Sequence, residues 1–196
     1  SNSGLITLSA YDLPELKILE FDGNATLKSL SLANLPNLDQ IQCGGTDLEI
    51  LEIKDLPKLT FLNCGSNNNL SDIRLSNLPS LTSLYANHLN ISNIELKDFP
   101  MLKLLNVDNN SKLNNIILDK LPSLTDLNCS STGIESLHLN GLISLQTING
   151  QSNVLLKSLL FSNLPKLTSI NFFSSGLENI NLFDLPLLSN VYLAYN

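Results

Sequence analysis

The chain has 196 residues, 43% of them hydrophobic and only 6% aromatic, and its formal net charge is −7. An acidic chain lacks the clustered Lys and Arg that displace counterions from a nucleic-acid backbone. This excludes a DNA or RNA partner and a basic membrane-surface patch. No apolar run approaches the roughly 18 residues of a membrane span, so no membrane insertion is expected, and no signal peptide is visible.

A fixed repeat begins in the first residues of the chain. Leu5, Leu8 and Ala10 follow an L-x-x-L-x-L spacing, and Pro14 follows them in an [LF]-P-x-L phrase. The phrase recurs with Ile143 in one slot and with proline in the others, at Pro36, Pro57, Pro79, Pro100, Pro122, Pro165 and Pro186. Successive steps alternate between a longer spacing, as from Pro14 to Pro36, and a spacing one residue shorter, as from Pro36 to Pro57. A period of about 21 residues without insertions predicts a solenoid, and the alternation makes the full repeat a pair of coils.

After each of these slots the chain predicts a short strand. Apolar residues fall two, five and seven positions later, as in Leu81, Leu84 and Ala86 after Pro79. The last two are two residues apart, so both side chains point to the same face of a strand. We expect nine such strands, with these two residues facing inward.

A turn is predicted ten positions after each slot. The longer coils, which contain the extra residue, have Asn there, namely Asn24, Asn67, Asn110 and Asn153. The shorter coils, which lack that residue, have Thr46, Leu89, Thr132 and Ser175. We interpret this alternation as a turn that tightens where the long amide side chain is absent.

A second L-x-x-L-x-L phrase completes each coil, from Leu27, Leu30 and Leu32 to Leu177, Ile180 and Leu182. These segments are short, rich in Ser and Asn, and end at a proline, which disfavours a helix. They therefore predict a second strand or extended segment on the opposite side of the coil.

The L-x-x-L-x-L-x-x-N phrases resemble leucine-rich repeats, and their cadence is similar to the 21-residue repeats of secreted and surface proteins of Bacteroidetes. The resemblance covers essentially the whole chain. It implies a right-handed, mostly β solenoid of about nine coils over residues 1–196, with partial coils at 1–13 and 186–196 and little or no helix. The parallel sheet would be concave, with the second strands opposite. The resemblance also implies that the Asn amide turns inward and bonds its own and the next coil, that the protein is extracellular or on a cell surface, and that partners bind the first sheet.

No residue pattern indicates catalysis or a cofactor. His88 and His138 are the only histidines and are predicted to lie on the surface, and no Ser/His/Asp set, P-loop or G-x-G-x-x-G is present. Cys43, Cys64 and Cys129 are interpreted as free buried thiols, although a disulfide between the first two is sterically conceivable. The chain is therefore not predicted to be an enzyme.

Asp or Asn stands two residues before most of the prolines, at Asp12, Asn34, Asp55, Asn77, Asp98, Asn163 and Asp184. Both residue types close turns on their own backbone. A stacked Ca²⁺ site is the alternative, but no two of these Asp residues fall in adjacent coils. No metal site is predicted.

The outward face of the first sheet is the main candidate for binding. It is rich in amides, nearly uncharged, and interrupted by a few aromatic residues. The candidate contact residues are Phe61, Asn63, Tyr85, Leu104, Asn106 and Asn128. Alternatively, the stacked Asn side chains hydrogen-bond only to each other along the sheet.

The opposite face changes character along the chain. Glu52, Arg74 and Glu95 alternate in sign, which predicts cross-strand charge pairing. The same column continues with Ile117, His138 and Leu160, which form an alternative contact surface or mark a register shift near residues 154–156.

The sequence thus predicts a non-catalytic interaction module for protein–protein recognition or adhesion through the first sheet. The alternatives are a glycan-binding module and a passive spacer in a larger protein. Neither end carries a recognisable cap, so end-to-end self-association is a further hypothesis.

Overall fold

The computed structural model describes residues 4–196, so the first three residues of the predicted partial coil lie outside the described part. These residues form a parallel β-solenoid of short strands, with no helix among them. The strands of the first side are β2 (Ile18–Glu20), β4 (Gln40–Gln42), β6 (Phe61–Asn63), β8 (Ser83–Tyr85), β10 (Leu104–Asn106), β12 (Asp126–Asn128), β14 (Thr147–Asn149), β16 (Ser169–Asn171) and β17 (Asn190–Tyr192). The strands of the second side are β1 (Thr7–Tyr11), β3 (Ser29–Ala33), β5 (Ile50–Lys54), β7 (Asp72–Ser76), β9 (Asn93–Lys97), β11 (Asn115–Asp119), β13 (Ser136–Asn140) and β15 (Ser158–Ser162).

The first side is one nine-stranded parallel sheet, as predicted. Its order from β17 to β2 follows the chain without a crossover, because each coil adds one strand beside the previous one. Leu84 in β8 aligns with Leu62 and Leu105 in the neighbouring strands, and all three are fully buried. The inward columns therefore form one continuous core.

Each proline lies at a corner that leads into this sheet. Pro79 follows Leu78, whose carbonyl accepts a hydrogen bond from the Leu81 amide at 3.2 Å, so proline occupies the second position of a β-turn. Ile143 fills the slot that lacks proline, and its N–H donates to Gly141 O at 3.0 Å, a bond that proline has no N–H to make.

The second side is not one sheet but four separate two-stranded ladders. β1 pairs with β3, β5 with β7, β9 with β11, and β13 with β15. Each pair joins a shorter coil to the longer coil that follows it, so its two strands are separated by the longer spacing. Described strands that are separated by the shorter spacing, such as β7 and β9, form no ladder. The two-coil repeat of the sequence is therefore also a structural unit.

The residues before the prolines hold these pairs together in a way that the sequence did not predict. Asn34 Nδ2 donates to Asp12 Oδ1 at 2.7 Å, and Asn77 Nδ2 donates to Asp55 Oδ1 at 2.8 Å. Lys120 replaces the amide in the third pair, with Nζ 3.2 Å from Asp98 Oδ1. The prediction that these side chains close turns on their own backbone was wrong. They connect neighbouring coils, and their backbones adopt positive φ, which Asp and Asn tolerate.

The Asn residues of the longer coils turn inward as predicted, but they bond the preceding coil rather than the next one. Asn67 is fully buried, and its Nδ2 donates to Cys64 O at 2.7 Å and to Cys43 O at 2.8 Å. Its Oδ1 accepts from the Thr46 backbone amide and, at 2.7 Å, from Thr46 Oγ1. The bond goes backward because the free amide of the shorter turn lies in the preceding coil.

The shorter turns are not tightened versions of the longer ones. In a longer coil the Leu70 amide donates to Asn67 O at 3.0 Å, which closes a turn. In a shorter coil, the Gly133 amide, one residue before the corresponding Ile134, instead donates to Leu113 O of the preceding coil at 2.9 Å. The extra residue of a longer coil therefore forms a turn, whereas the shorter coil connects its two strands by a direct extended segment.

Candidate functional site

The outward face of the nine-stranded sheet is formed by the first and third residues of each strand. From β4 to β16 these side chains are half-buried, because neighbouring strands crowd them. The middle residue of each of these strands is buried in the core. Strand geometry therefore places all six sequence-predicted contact residues on one face.

Two aromatic rings meet on this face. The ring centroids of Phe61 and Tyr85 are 5.6 Å apart, and the rings are tilted by 43°. Phe61 is the first residue of β6 and Tyr85 the third residue of β8, so the rings meet diagonally across adjacent strands. Such pairs form a stable, half-exposed platform of apolar surface.

A shallow hollow of about 210 Å³ lies beside Tyr85. It spans four adjacent strands, and the outward side chains around it come from Tyr85, Leu104, Asn106, Asp126, Asn128, Thr147 and Asn149. Four of the six predicted residues thus share one concave feature, while Phe61 and Asn63 lie next to it on β6. Sequence reasoning missed Asp126, Thr147 and Asn149, although their positions in the same two outward columns would have identified them.

The hollow contains one acidic group held by hydroxyl donors. Asp126 Oδ1 accepts from Thr147 Oγ1 at 2.6 Å, and Asp126 Oδ2 accepts from Thr125 Oγ1 at 2.6 Å. Thr147 therefore fixes the direction of Oδ1, whereas the single Thr125 hydroxyl proton has a second acceptor in Lys103 O at 3.0 Å. The remaining lone pairs of the carboxylate are available to a donor on a ligand. Asp126 is the charged residue among those that line the hollow.

The outward Asn side chains do not form the ladder along the sheet that was considered as an alternative. Asn106 Oδ1 accepts from the Asp108 amide at 3.1 Å, and Asn128 Oδ1 accepts from the Ser130 amide at 3.2 Å. Asn63 and Asn171 bond the residue two positions ahead in the same way. The short Asn side chain reaches its own backbone more easily than the next strand, about 4.8 Å away. These bonds orient the amide oxygen toward the backbone and turn the NH₂ group outward, where that of Asn171 donates to Gln151 Oε1 at 3.3 Å.

The alternative surface on the second side is divided. Ile117 is 41% exposed and Leu160 is 59% exposed, as expected for outward positions, and His138 is exposed as well. His138 pairs with Leu160 in the β13–β15 ladder, but Ile117 belongs to the separate β9–β11 ladder. The β13–β15 register is regular, so the register shift considered near residues 154–156 is absent.

The cross-strand charge pairing predicted for this side was wrong in detail. Arg74 binds Asp72 on its own strand at 2.6 Å, and Lys54 binds Glu52 at 2.8 Å, also on the same strand. Residues two apart share a strand face, so these two cations find their partners within the strand. Lys97 does pair across strands as predicted, with Nζ 3.9 Å from Asp119 Oδ2 on β11. Lys54 lowers the pKa of Glu52 by hydrogen bonding and charge attraction on the exposed face of β5.

The three cysteines are free and fully buried, as predicted. Burial raises the pKa of Cys64 to about 12 and that of Cys129 to about 12, because a thiolate is poorly solvated in the core. Burial also raises the pKa of Cys43, for the same reason. These thiols are therefore poor nucleophiles and metal ligands at neutral pH.

Within residues 4–196, no group of three or more His, Cys, Asp or Glu side chains is arranged to hold a metal ion. No helix in the same part of the chain is long and apolar enough to cross a membrane. The fold and the face described above define a parallel β-solenoid with one amide-rich, aromatic-bearing sheet. Comparisons with protein-family models, with curated proteins and with solved structures gave no match.

Proposed function

We propose that this protein is a non-catalytic binding module that recognises a protein partner through the outward face of the nine-stranded sheet. The proposal rests on one observation: the Phe61–Tyr85 ring pair lies directly beside the hollow, because Tyr85 lines it together with Leu104 and Asp126. Aromatic surface beside a few oriented polar groups is the composition found at the centres of protein interfaces.

The absence of strong charge on this face favours recognition by shape and hydrogen bonds. The NH₂ groups of Asn63, Asn106 and Asn128 lie in one column: Asn106 and Asn128 are on adjacent strands, and Tyr85 on β8 separates Asn63 from Asn106. They suit backbone carbonyls or side-chain oxygens of a partner, since each is a donor without a charge to desolvate.

The repeat is best interpreted as a leucine-rich repeat, and the protein as an extracellular or surface-bound adhesion module. The periodic L-x-x-L-x-L-x-x-N phrases support this, together with the buried Asn67 and Asn110 amides that satisfy the turn backbone. The interpretation includes neither an enzymatic activity nor a cofactor.

A glycan is the second candidate partner, and Asp126 is the observation that favours it. A fixed carboxylate beside the Tyr85 ring and the Asn128 and Asn149 amides offers an acceptor, donors and an aromatic platform in one hollow. Sugar hydroxyls use all three kinds of contact.

The test uses the double variant Phe61→Ala/Tyr85→Ala and, as its matched control, Ile117→Ala/Leu160→Ala on the opposite side. Proteins retained from an extract of the source organism by wild-type protein are quantified for both variants by mass spectrometry. We expect a retained protein that is lost with the first variant and kept with the second. Equal retention by both variants contradicts the proposal. Because all four residues are exposed or half-buried, both variants should melt within a few degrees of wild type.

A glycan array separates the two candidate partners. Binding to a glycan that Asp126→Asn weakens, with protein capture unchanged by the same substitution, would favour the glycan-binding alternative. A silent array excludes it. If neither a protein nor a glycan binds in these assays, a passive spacer is the remaining interpretation.

A further inference from the structure

Asp126 has no cationic partner within residues 4–196. Its carboxylate lines the hollow of about 210 Å³ on the outward sheet face, and none of the ion pairs in the described part of the chain includes it. Glu20 is the other acidic residue of this face, and no Lys, Arg or His stands at the first or third position of the nine described strands. The face therefore carries negative charge only, and at Asp126 this charge lies in a concave feature.

An apolar surface leads across the hollow to this carboxylate. Leu104 on β10 lies directly beside Asp126 in the strand register, and Tyr85 lies on the next strand, β8. Strands are about 4.8 Å apart, so β8 and β12 are separated by about 10 Å. All three side chains line the same hollow. A ligand that fills the hollow should therefore be apolar over about this length and positively charged at its end.

The carboxylate of Asp126 can accept two parallel hydrogen bonds. The Thr147 hydroxyl donates to Oδ1 and the Thr125 hydroxyl lies 2.6 Å from Oδ2, so each oxygen keeps at least one acceptor position. A guanidinium group presents two parallel N–H donors that use both carboxylate oxygens at once. An ammonium group is a compact point charge and lacks this fork. The acceptor geometry therefore favours arginine over lysine.

The size of the hollow favours a single side chain. Pockets that enclose a drug-sized ligand measure about 300–1,000 Å³, and this hollow is smaller. Arginine buries its apolar stem along apolar surface and keeps its charged end in a polar environment. The order of groups in that side chain, stem and then charged fork, matches the order in the hollow, where Tyr85 and Leu104 lead to Asp126.

We propose that the hollow binds an arginine side chain of the partner protein, with its stem over Leu104 and Tyr85 and its guanidinium group on Asp126. This inference rests on the proposed function, because it names the group that the sheet face recognises. The residues that flank the arginine offer backbone carbonyls to the outward NH₂ groups of Asn106 and Asn128, whose amide oxygens are held by the backbone. Arginine is also among the side chains that most often dominate the binding energy of protein interfaces.

The experiment is an NMR titration of the nitrogen-15-labelled full chain with the peptide acetyl-Gly-Arg-Gly-amide. Its matched controls carry citrulline, which has nearly the same shape but no charge, or lysine in place of arginine. We expect saturable shifts of the amide signals of Asn128 and Thr147. The citrulline peptide should bind about tenfold more weakly, since hydrogen bonds between charged groups are stronger than neutral ones. The lysine peptide should bind about threefold more weakly, because it cannot bridge both oxygens.

Two variants locate the binding charge. Asp126→Asn keeps the shape of the side chain and removes its charge, so the arginine peptide should bind about tenfold more weakly and no better than the citrulline peptide. Glu20→Gln removes the same charge from the same face, on a strand five positions from β12. That separation is roughly 24 Å, well beyond the screening length of about 8 Å at physiological salt, so its affinity should stay within about twofold of wild type. The spectrum of each variant also shows that it is folded.

The proposal is overturned if the arginine peptide does not bind, if the citrulline or lysine peptide binds equally well, or if Asp126→Asn has no effect. Equal weakening by Glu20→Gln also overturns it, because the attraction would then not be located in the hollow.

Failure of this inference is distinguishable from failure of the proposed function. A protein that is retained from the extract, lost with Phe61→Ala/Tyr85→Ala and kept by Asp126→Asn supports the sheet face and contradicts the arginine site. Peptide binding that depends on Asp126, together with equal retention by Phe61→Ala/Tyr85→Ala and its control, contradicts the proposed function alone.

Discussion

Gly150 shows how a single side chain determines the fit between two coils. It occupies an inward column that Cys129 fills in the preceding coil and Phe172 in the next. A Cβ at Gly150 would lie 2.2 Å from Phe172 Cε1 and 2.7 Å from Cδ1, so the ring occupies the space that glycine leaves. The ring also packs against Phe161, with centroids 6.3 Å apart. The aromatic residue is tolerated because its neighbour has no side chain.

Replacing Gly150 by Ala is therefore expected to lower the free energy of unfolding by about 1–3 kcal/mol, since the added methyl group overpacks a rigid ring. The control is Gly65→Ala, where the new Cβ meets the terminal Oδ1 of Asn87, which can move aside at smaller cost. Urea denaturation of both variants measures the difference. In Gly150→Ala/Phe172→Leu part of the loss should be recovered. Equal effects at Gly65 and Gly150 would contradict this account.

The buried thiols make stability depend on pH in the alkaline range. The pKa of Cys64 and Cys129 is about 12 in the folded chain, against roughly 8.5 in an unfolded one. The neutral thiol is thus favoured by folding. Its contribution is complete below about pH 8.5 and is lost as the pH rises toward 12, because only the unfolded chain then releases the proton.

We compare wild type with Cys43→Ala/Cys64→Ala/Cys129→Ala, because Ala86 shows that alanine fits this column. Under reducing conditions, the free energy of unfolding is measured from pH 8 to 11. The difference between wild type and the variant should shrink steadily as pH rises, while the Tyr and Lys contributions cancel between them. Parallel pH profiles would show that the thiols remain accessible to solvent in the folded protein.

At the scale of the element, the turn between the two strands of a coil depends on one buried amide. Asn67 makes two hydrogen bonds to carbonyls and accepts two from Thr46, so all four of its hydrogen-bonding positions are used. Asn110 has the same role opposite Leu89, which offers its backbone amide but no hydroxyl. The contact of Asn67 with Thr46 thus has one hydrogen bond more than the contact of Asn110 with Leu89.

Asn67→Ala should lower the free energy of unfolding by about 3–5 kcal/mol. It leaves several buried backbone groups without partners, each of which costs about 1–3 kcal/mol if the structure does not rearrange. Asn110→Ala should cost about 1 kcal/mol less, since no hydroxyl is orphaned. Thr46→Val, which removes only the hydroxyl, should cost about 1 kcal/mol and completes a double-mutant cycle with Asn67→Ala. Equal losses at Asn67 and Asn110 would mean that the Thr46 hydroxyl adds nothing.

The inward columns, the nine-stranded sheet and the two-coil repeat were predictable because apolar spacing and proline position depend on local rules. The four separate ladders were not, since β7 and β9 carry the same phrase as β9 and β11 and differ only in spacing. The direction of the Asn67 bonds and the Asx-type bonds of Asn106 also depend on three-dimensional neighbours that no single phrase encodes. For the candidate site, column positions identified Tyr85 and Leu104. Asp126 was missed because a lone carboxylate on a solvated face is unremarkable until its hydrogen bonds are known.

At the scale of the molecule, the core is a stack in which each coil touches only its neighbours. Its stability is therefore a sum of intrinsic coil terms and interfaces between adjacent coils. Burying a Leu-class side chain contributes about 1.5–3 kcal/mol, and the coils in the middle bury several each. The end strands contribute less, since Leu19 is half-buried and Val191 is 43% exposed. Damage to a central coil should therefore separate the stack, whereas damage to an end coil should only fray it.

Leu84→Asp tests this at the centre of the nine-stranded sheet, where the side chain is fully buried between Leu62 and Leu105. An unpaired carboxylate there should lower the free energy of unfolding by more than about 4 kcal/mol. This is enough to disrupt the packing of the β8 coil against the coils on both sides. Hydrogen-exchange mass spectrometry should show protection lost around β8 and retained, at reduced level, in the coils on either side. Thermal unfolding should broaden into two transitions. The control Leu19→Asp should affect only the first coils and leave the main transition intact. If Leu84→Asp instead lowers protection uniformly in a single sharp transition, the solenoid folds as one cooperative unit, and the nearest-neighbour description does not apply to it.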